Sequence, residues 1–298
     1  MSINKALIEH IETLPMLPVA VTRLLALSPN DPNYFKKVLA ISEDDPSLAL
    51  RIIKFSNTAS RVSRQPITGL KEAIIRIGIN DIFSLVASMA VTKVFVPATT
   101  AEKRIWVHSL EVALLSRFIA RELIKNTQLL PEHAFLTGLL HDIGLFLMFD
   151  LNKSTLEKVN CYEWATPKEH IEAEKHIYGT PHPLLGAYIC KMWQVPADII
   201  WVVKMHHDYS LAKAPKEDSA NIHLLRVVQL ADFVSEFIYH YQDREMLTAQ
   251  AMTDAINENI ILSEWLEQTG AAIDDNVMAN LHSVLEIAKY KSKALGLG

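Results

Sequence analysis

Residues 138–146, GLLHDIGLF, set His141 beside Asp142 in a segment otherwise made of leucine, isoleucine, phenylalanine and glycine. A carboxylate moved out of water without a partner is costly, by several kcal/mol or more. Asp142 therefore needs a metal ion, a cationic neighbour or hydrogen-bond donors supplied from elsewhere in the chain. Adjacent helical residues point about 100° apart. His141 and Asp142 can thus converge on one ion near a helix end, and the helix that opens at Pro131 ends at this pair, just before Gly144.

The surrounding composition predicts an all-α fold. Half of the 298 residues are apolar, mean hydropathy is +0.13, and glycine occurs only nine times, with no Asn-Gly or Asp-Gly pair to close a hairpin. A formal charge of −5 and a pI near 6.2, without a basic tract, argue against a chain that neutralises nucleic-acid phosphates. Cys161 and Cys190 lie 29 positions apart and suggest neither a disulfide framework nor a thiolate zinc cluster. The opening residues, with Lys5, Glu9, His10 and Glu12 in an amphipathic pattern, do not read as a secretory leader, and no apolar run is long enough for a bilayer. The expectation is a soluble cytoplasmic protein with no membrane and no nucleic-acid partner.

Helix starts are marked by a capping residue followed by proline, whose fixed φ and missing N–H suit the first helical position. Asp31-Pro32, Asp45-Pro46 and Thr166-Pro167 read this way, the last with Glu169 completing a capping box; Pro131 and Pro196 start two more helices. Apolar periodicity predicts helices over 19–28, 34–42, 48–57, 70–77 and 81–95, the last two broken at Gly78. A second group covers 103–125, 132–141, 184–192, 197–206 and 222–241, with amphipathic helices following to the end. The stretch VPATTAE, 96–102, is the candidate joint. The expected division is an N-terminal helical part over 1–97, a core over 98–241 and a C-terminal helical extension over 242–298.

Twelve histidines are present, and a lone helical histidine is more often a surface or hydrogen-bonded core residue than a ligand. Context singles out His108 at the inner edge of an amphipathic helix, His141-Asp142, the pair His206-His207 closing another helix, and Asp232 inside the apolar run VVQLADFVSE. Four helices each offering His or Asp from apolar segments suggest a site in the centre of a bundle. Mixed imidazole and carboxylate ligation suits iron, manganese, zinc or nickel. Such an ion polarises a phosphoryl oxygen and lowers the pKa of a bound water. The competing reading is a polar network that stitches helix ends together.

The order His108, His141-Asp142, Asp232 resembles the H…HD…D signature of the HD metal-dependent phosphohydrolase superfamily. More specifically, LPMLP (14–18), DPSLALRIIKFSN (45–57), ITGLKEAIIRIG (67–78), GLLHDIG (138–144) and HPLLGAYICKMWQVP (182–196) leading to His206-His207 resemble, in that order, the HDOD domain of bacterial signalling proteins. The likeness runs from about residue 10 to 235 and implies an HD-type helical bundle with an N-terminal helical subdomain. Similarity to the HD-GYP relatives, which hydrolyse cyclic dinucleotides, places His182, His206 and His207 among the ligands of a one- or two-ion site.

Two departures from the active relatives stand out: Leu145 occupies the position of a lysine, and residues 208–221 contain no G-Y-P segment. The resemblance thus implies a regulatory module with little or no hydrolysis, served by a protein partner in a signalling pathway or by a nucleotide-like ligand, and forming a homodimer. The alternative is a phosphohydrolase acting on a nucleotide or cyclic dinucleotide, with His141 and Asp142 at its centre. In a third reading, a phosphate sensor, Lys153, Lys204 and Arg226 are candidate anion contacts, each set against an ordinary solvated charge. Trp193 and Trp201 read as core packing before a base-stacking platform.

Overall fold

A computed structural model describes residues 5–27, 31–58, 66–124, 129–151, 167–209, 219–241 and 247–297. Among the described residues the chain is all-helical, without a strand. No single helix among them is long and apolar enough to cross a membrane. Lys153, Cys161 and the expected Thr166 cap lie outside the described residues.

The chain divides into two compact units. One, Met1–Leu14 with Ala98–Tyr290, contains α1 (Lys5–Glu12), α7 (Thr100–Phe118), α8 (Pro131–Leu140), α9 (Ile143–Leu151), α10 (Pro167–Tyr178), α11 (His182–Met192), α12 (Ala197–Met205), α13 (Ser219–His240), α14 (Ala249–Glu258), α15 (Ile260–Thr269) and most of α16 (Asp275–Ala294). The other, Pro15–Pro97 with Lys291–Gly298, contains α2 (Val19–Leu25), α3 (Tyr34–Glu43), α4 (Pro46–Thr58), α5 (Leu70–Ile77) and α6 (Ile79–Val94).

In the larger unit α7 packs on α8 and α13, and α11 packs on α9 and α12. The core joins Val112, Leu115 and Ile119 to Leu224, Val228, Ala231 and Val234 of α13, and to Met252, Leu262 and Leu281 near the C-terminus. Each of these side chains larger than alanine contributes about 1.5–3 kcal/mol on burial. The stretch 96–102, read from sequence only as a joint, also starts α7. The Thr99 hydroxyl accepts from the Glu102 amide, and the Glu102 carboxylate accepts from the Thr99 amide at 2.6 Å, a complete capping box. The helix predicted over 103–125 leaves α geometry at Ile119–Leu123, a single π turn, which brings Ile119 and Ile124, five apart, onto the core side together.

Two proline starts shift. Pro32 lies in a turn ahead of α3, where the Asp31 side chain accepts from the Asn33 amide at 2.7 Å, and the helix begins two residues later. Pro196, with ψ 143°, precedes α12 in extended conformation. Asp45-Pro46 does open α4, with the Asp45 carboxylate accepting from the amides of Ser47 and Leu48.

Two glycines set the spacing of the helices that carry the site. A Cβ on Gly138 would lie 2.8 Å from the Val112 carbonyl oxygen, so α8 sits on the backbone of α7. A Cβ on Gly144 would lie 2.1 Å from the His182 carbonyl oxygen, so α9 and α11 touch backbone to backbone beside Asp142.

Candidate metal centre

All seven residues singled out from sequence come together in the larger unit. His108 projects from the middle of α7. His141 and Asp142 form the two-residue turn between α8 and α9, the helix end that their convergence requires. His182 is the first residue of α11, His206 and His207 follow the last turn of α12, and Asp232 lies on α13. All but His207 and Asp232 are buried.

The side chains form two groups, Asp142 with His182, His206 and His207, and His108 with His141 and Asp232; within each, one ligand atom per residue lies within 4.8 Å of the others. Asp142 faces both. Its Oδ1 is 3.1 Å from His182 Nε2 and 3.5 Å from His206 Nε2, while its Oδ2 is 3.3 Å from His141 Nε2 and 3.8 Å from His108 Nε2. Asp232 Oδ1 lies 3.1 Å from His108 Nε2 and 3.9 Å from His141 Nε2.

The rear ring nitrogens are fixed by acceptors. His141 Nδ1 donates to the Gly138 carbonyl and His206 Nδ1 to the Val203 carbonyl, both at 2.8 Å. His182 Nδ1 donates to the Glu174 carboxylate at 2.8 Å from either oxygen. Each bond commits the proton to Nδ1 and turns the Nε2 lone pair toward Asp142, the arrangement that orients metal-binding imidazoles. His108 Nδ1 lies 3.1 Å from both Ser235 Oγ and Glu236 Oε1, and the Ser235 hydroxyl donates to Glu111.

His141 Nε2, Asp142 Oδ1 and His207 Nδ1 are buried without an aligned hydrogen-bond partner, and His182 Nε2 and His206 Nε2 approach to 3.3 Å. Buried donors and acceptors are normally satisfied. Lone pairs that converge on one point are satisfied by a shared cation, so the donor set fits a transition-metal ion.

The electrostatics point the same way. Burial disfavours the charged form of His108, but Asp232, Glu236 and Asp142 outweigh it and push the group up to about 9. Burial also opposes charge on His182, and Glu174 and Asp142 overcome it, raising the group to about 10. Burial and the neighbouring His206 and His182 hold His207 well below its usual value. Asp142 is held well below the carboxylate range, its burial outweighed by His141, His182 and His206. A bound cation would take the place of protons that the carboxylates otherwise retain on His108 and His182.

Sequence reasoning missed Glu174, which is wholly buried on α10 and also accepts from the His182 amide at 2.8 Å. In PKEHIEAEKHIY it is one acid among several, and only the chain reversal before His182 selects it. Ser235 and Glu236 were legible, one turn beyond Asp232. Arg226 corrects the solvated-charge reading: it is 2% exposed, its guanidinium donates to Gln229 Oε1, and Gln229 donates to the His206 and Asp208 carbonyls at 2.9 and 3.4 Å. Its place is behind the His206–Asp208 turn as a brace. Lys204 is exposed. Trp193 is core, and Trp201 packs at the core edge. Leu145, three residues past Asp142, is 8% exposed.

The HDOD domain family profile matches residues 14–209. An uncharacterized protein of Treponema pallidum (strain Nichols) is 23% identical over 243 residues, 77% of this chain and 44% of its own length, so the chain spans less than half of that relative. Among solved structures, an HDOD domain protein of unknown function from Geobacter sulfurreducens aligns with a TM-score of 0.70 at 21% identity, covering 98% of this chain and 96% of the other. A candidate phosphohydrolase from Shewanella amazonensis SB2B aligns at 0.67 with 20% identity, covering 98% of each chain. At such identities these structures speak to the fold, while the profile spans most of the chain and takes in six of the seven clustered residues. The chain belongs to the HDOD domain family.

Proposed function

We propose that this chain is a bacterial signalling module that holds one or two divalent ions, iron, manganese, zinc or nickel, at the His/Asp centre and hydrolyses phosphodiesters negligibly. The observation that carries the reading is the gathering of seven ligand-type side chains, Asp142 at their centre, beside an apolar residue, Leu145. When bound, such an ion polarises a phosphoryl oxygen and acidifies a water. Hydrolysis also needs fixed charge on the phosphoryl oxygens as negative charge grows there. Leu145 provides none, and Arg226 is committed to bracing the His206–Asp208 turn. The chain's residues thus favour holding an ion and a shape over turnover. In this reading the module works in the cytoplasm, and its signal passes through a protein partner, a nucleotide-like ligand or pairing with a second copy.

The test is protein purified without a histidine tag or chelator, assayed for bound metal and for hydrolysis of bis(4-nitrophenyl) phosphate. Bound transition metal with no turnover above that of the Asp142→Ala variant supports the proposal. Robust turnover abolished by Asp142→Ala overturns it in favour of a phosphohydrolase. The complete ligand set, with the buried Glu174 behind His182, is the observation on the side of that second reading.

A further inference from the structure

The formal charge of −5 conceals a segregation. Residues 15–97 and 291–298, the smaller unit, carry twelve Lys and Arg against six Asp and Glu, a net +6; the rest of the chain carries seventeen against twenty-eight, a net −11. A basic unit in an acidic chain is an electrostatic statement about what that unit meets.

Within that unit Arg51, Lys54 and Phe55 of α4, Met89 and Thr92 of α6, and Ala294 and Leu295 near the C-terminus enclose a cleft of about 300 Å³. That is the lower bound of small-molecule pockets, which run about 300–1,000 Å³. Arg51 and Met89 also wall an adjoining shallow cleft that takes in Ser47 and Lys93. Arg51 and Lys54, three apart, share one face of α4.

Three cations elsewhere in the unit are paired: Arg23 with Asp44, Lys37 with Asp31, and Lys291 with Asp81. Arg51, Lys54 and Lys93 have no carboxylate partner among the described residues. The acid in the adjoining cleft, Asp45, spends one carboxylate oxygen on the amides of Ser47 and Leu48. Arg51 and Lys54 at the larger cleft and Lys93 in the shallow one beside it, with a phenylalanine, a methionine and a leucine lining the larger, present charge at the rim and apolar surface inside.

We propose that this cleft and the shallow one beside it, formed by the faces of α4 and α6 that carry Arg51, Lys54 and Lys93 together with the segment around Leu295, bind a phosphate-bearing small molecule with a planar body, a nucleotide by chemical class. The cations meet the phosphates, Arg51 as a two-pronged donor. Phe55, Met89 and Leu295 receive the base by packing. The cations flank two small adjoining clefts that share Arg51, which suits a compact ligand over an extended phosphate backbone. The site belongs to the smaller unit and uses none of the residues of the His/Asp centre, so it stands whether or not that centre holds metal.

The test is calorimetric titration of the full chain, in excess EDTA, with ATP, adenosine and inorganic triphosphate. ATP is expected to bind, with affinity falling as salt is raised, and the double substitution Arg51→Ala, Lys54→Ala to weaken it at least tenfold. Both side chains are exposed, so an unchanged circular dichroism spectrum separates lost binding from lost fold. Asp142→Ala should leave ATP binding unaltered. Adenosine is expected to bind far more weakly than ATP, because the charge contacts are lost. Triphosphate binding as tightly as ATP would remove the apolar half of the proposal. No ATP binding, or binding indifferent to the double substitution, would overturn it.

Discussion

Replacing Gly144 with alanine is expected to damage stability and metal affinity together. The added Cβ would lie 2.1 Å from the His182 carbonyl oxygen, 2.8 Å from its carbon and 2.9 Å from the Gly186 amide nitrogen. All three are backbone atoms, so no rotamer change relieves the overlap. Reaching ordinary contact at 3.4 Å requires α9 and α11 to part by about 1.3 Å. Overpacking of this kind costs about 1–3 kcal/mol, and a unit of this size loses about 2–4 °C per kcal/mol; a fall in Tm of about 2–12 °C follows.

The same displacement carries His182 away from Asp142, whose Oδ1 it now approaches to 3.1 Å. An imidazole displaced by that much should weaken metal binding by about 10–100-fold, as loss of an orienting partner does. The assay is thermal unfolding beside a metal titration. Leu262→Ala serves as a comparison, a fully buried residue whose truncation costs about 2–5 kcal/mol without touching His182. Gly144→Ala with unchanged Tm and affinity would refute the close-approach argument, and affinity loss no greater than in Leu262→Ala would refute the positional one.

Three further outcomes are expected. In metal-free protein the raised His182 value, about 10 against about 6.5 for an unfolded chain, means that its pairing stabilises fully below pH ~6.5 and fades as pH rises through about 10, with His108 adding to the slope near 9. Tm should therefore fall between about pH 6.5 and 10, and Glu174→Gln should flatten that fall; an unchanged slope contradicts the assignment. Gln229→Ala leaves Arg226 and the His206 carbonyl without their shared partner and should cost about 1–3 kcal/mol in denaturant unfolding; a change below about 0.5 kcal/mol contradicts the brace. Thr99→Ala removes half of the capping box and should cost about 1 kcal/mol in the same measurement.

What the sequence made legible was local chemistry. Proline and Asp at position 45–46 announced α4, Pro131 announced α8, and a His-Asp pair amid leucines announced a buried polar site. The order of the seven ligands followed from family resemblance, because helix periodicity places each on a face but cannot pair faces across 125 positions. Glu174 was hidden for the same reason: its partner depends on how α11 folds back on α10, a tertiary fact without a local signal. The π turn at Ile119–Leu123 was invisible to a fixed 3.6-residue period. Arg226 read as a surface charge because propensity says so for arginine, and packing overrode it.

The central claim is that His108, His141, Asp142, His182, His206, His207 and Asp232 form one metal-binding centre. The direct measurement is anomalous diffraction at the absorption edges of manganese, iron, nickel and zinc from crystals of the metal-loaded protein. One or two anomalous peaks are expected within about 2.0–2.3 Å of these nitrogen and oxygen atoms, lost in Asp142→Ala. Crystals loaded with each ion that show no peak beside Asp142 would contradict it.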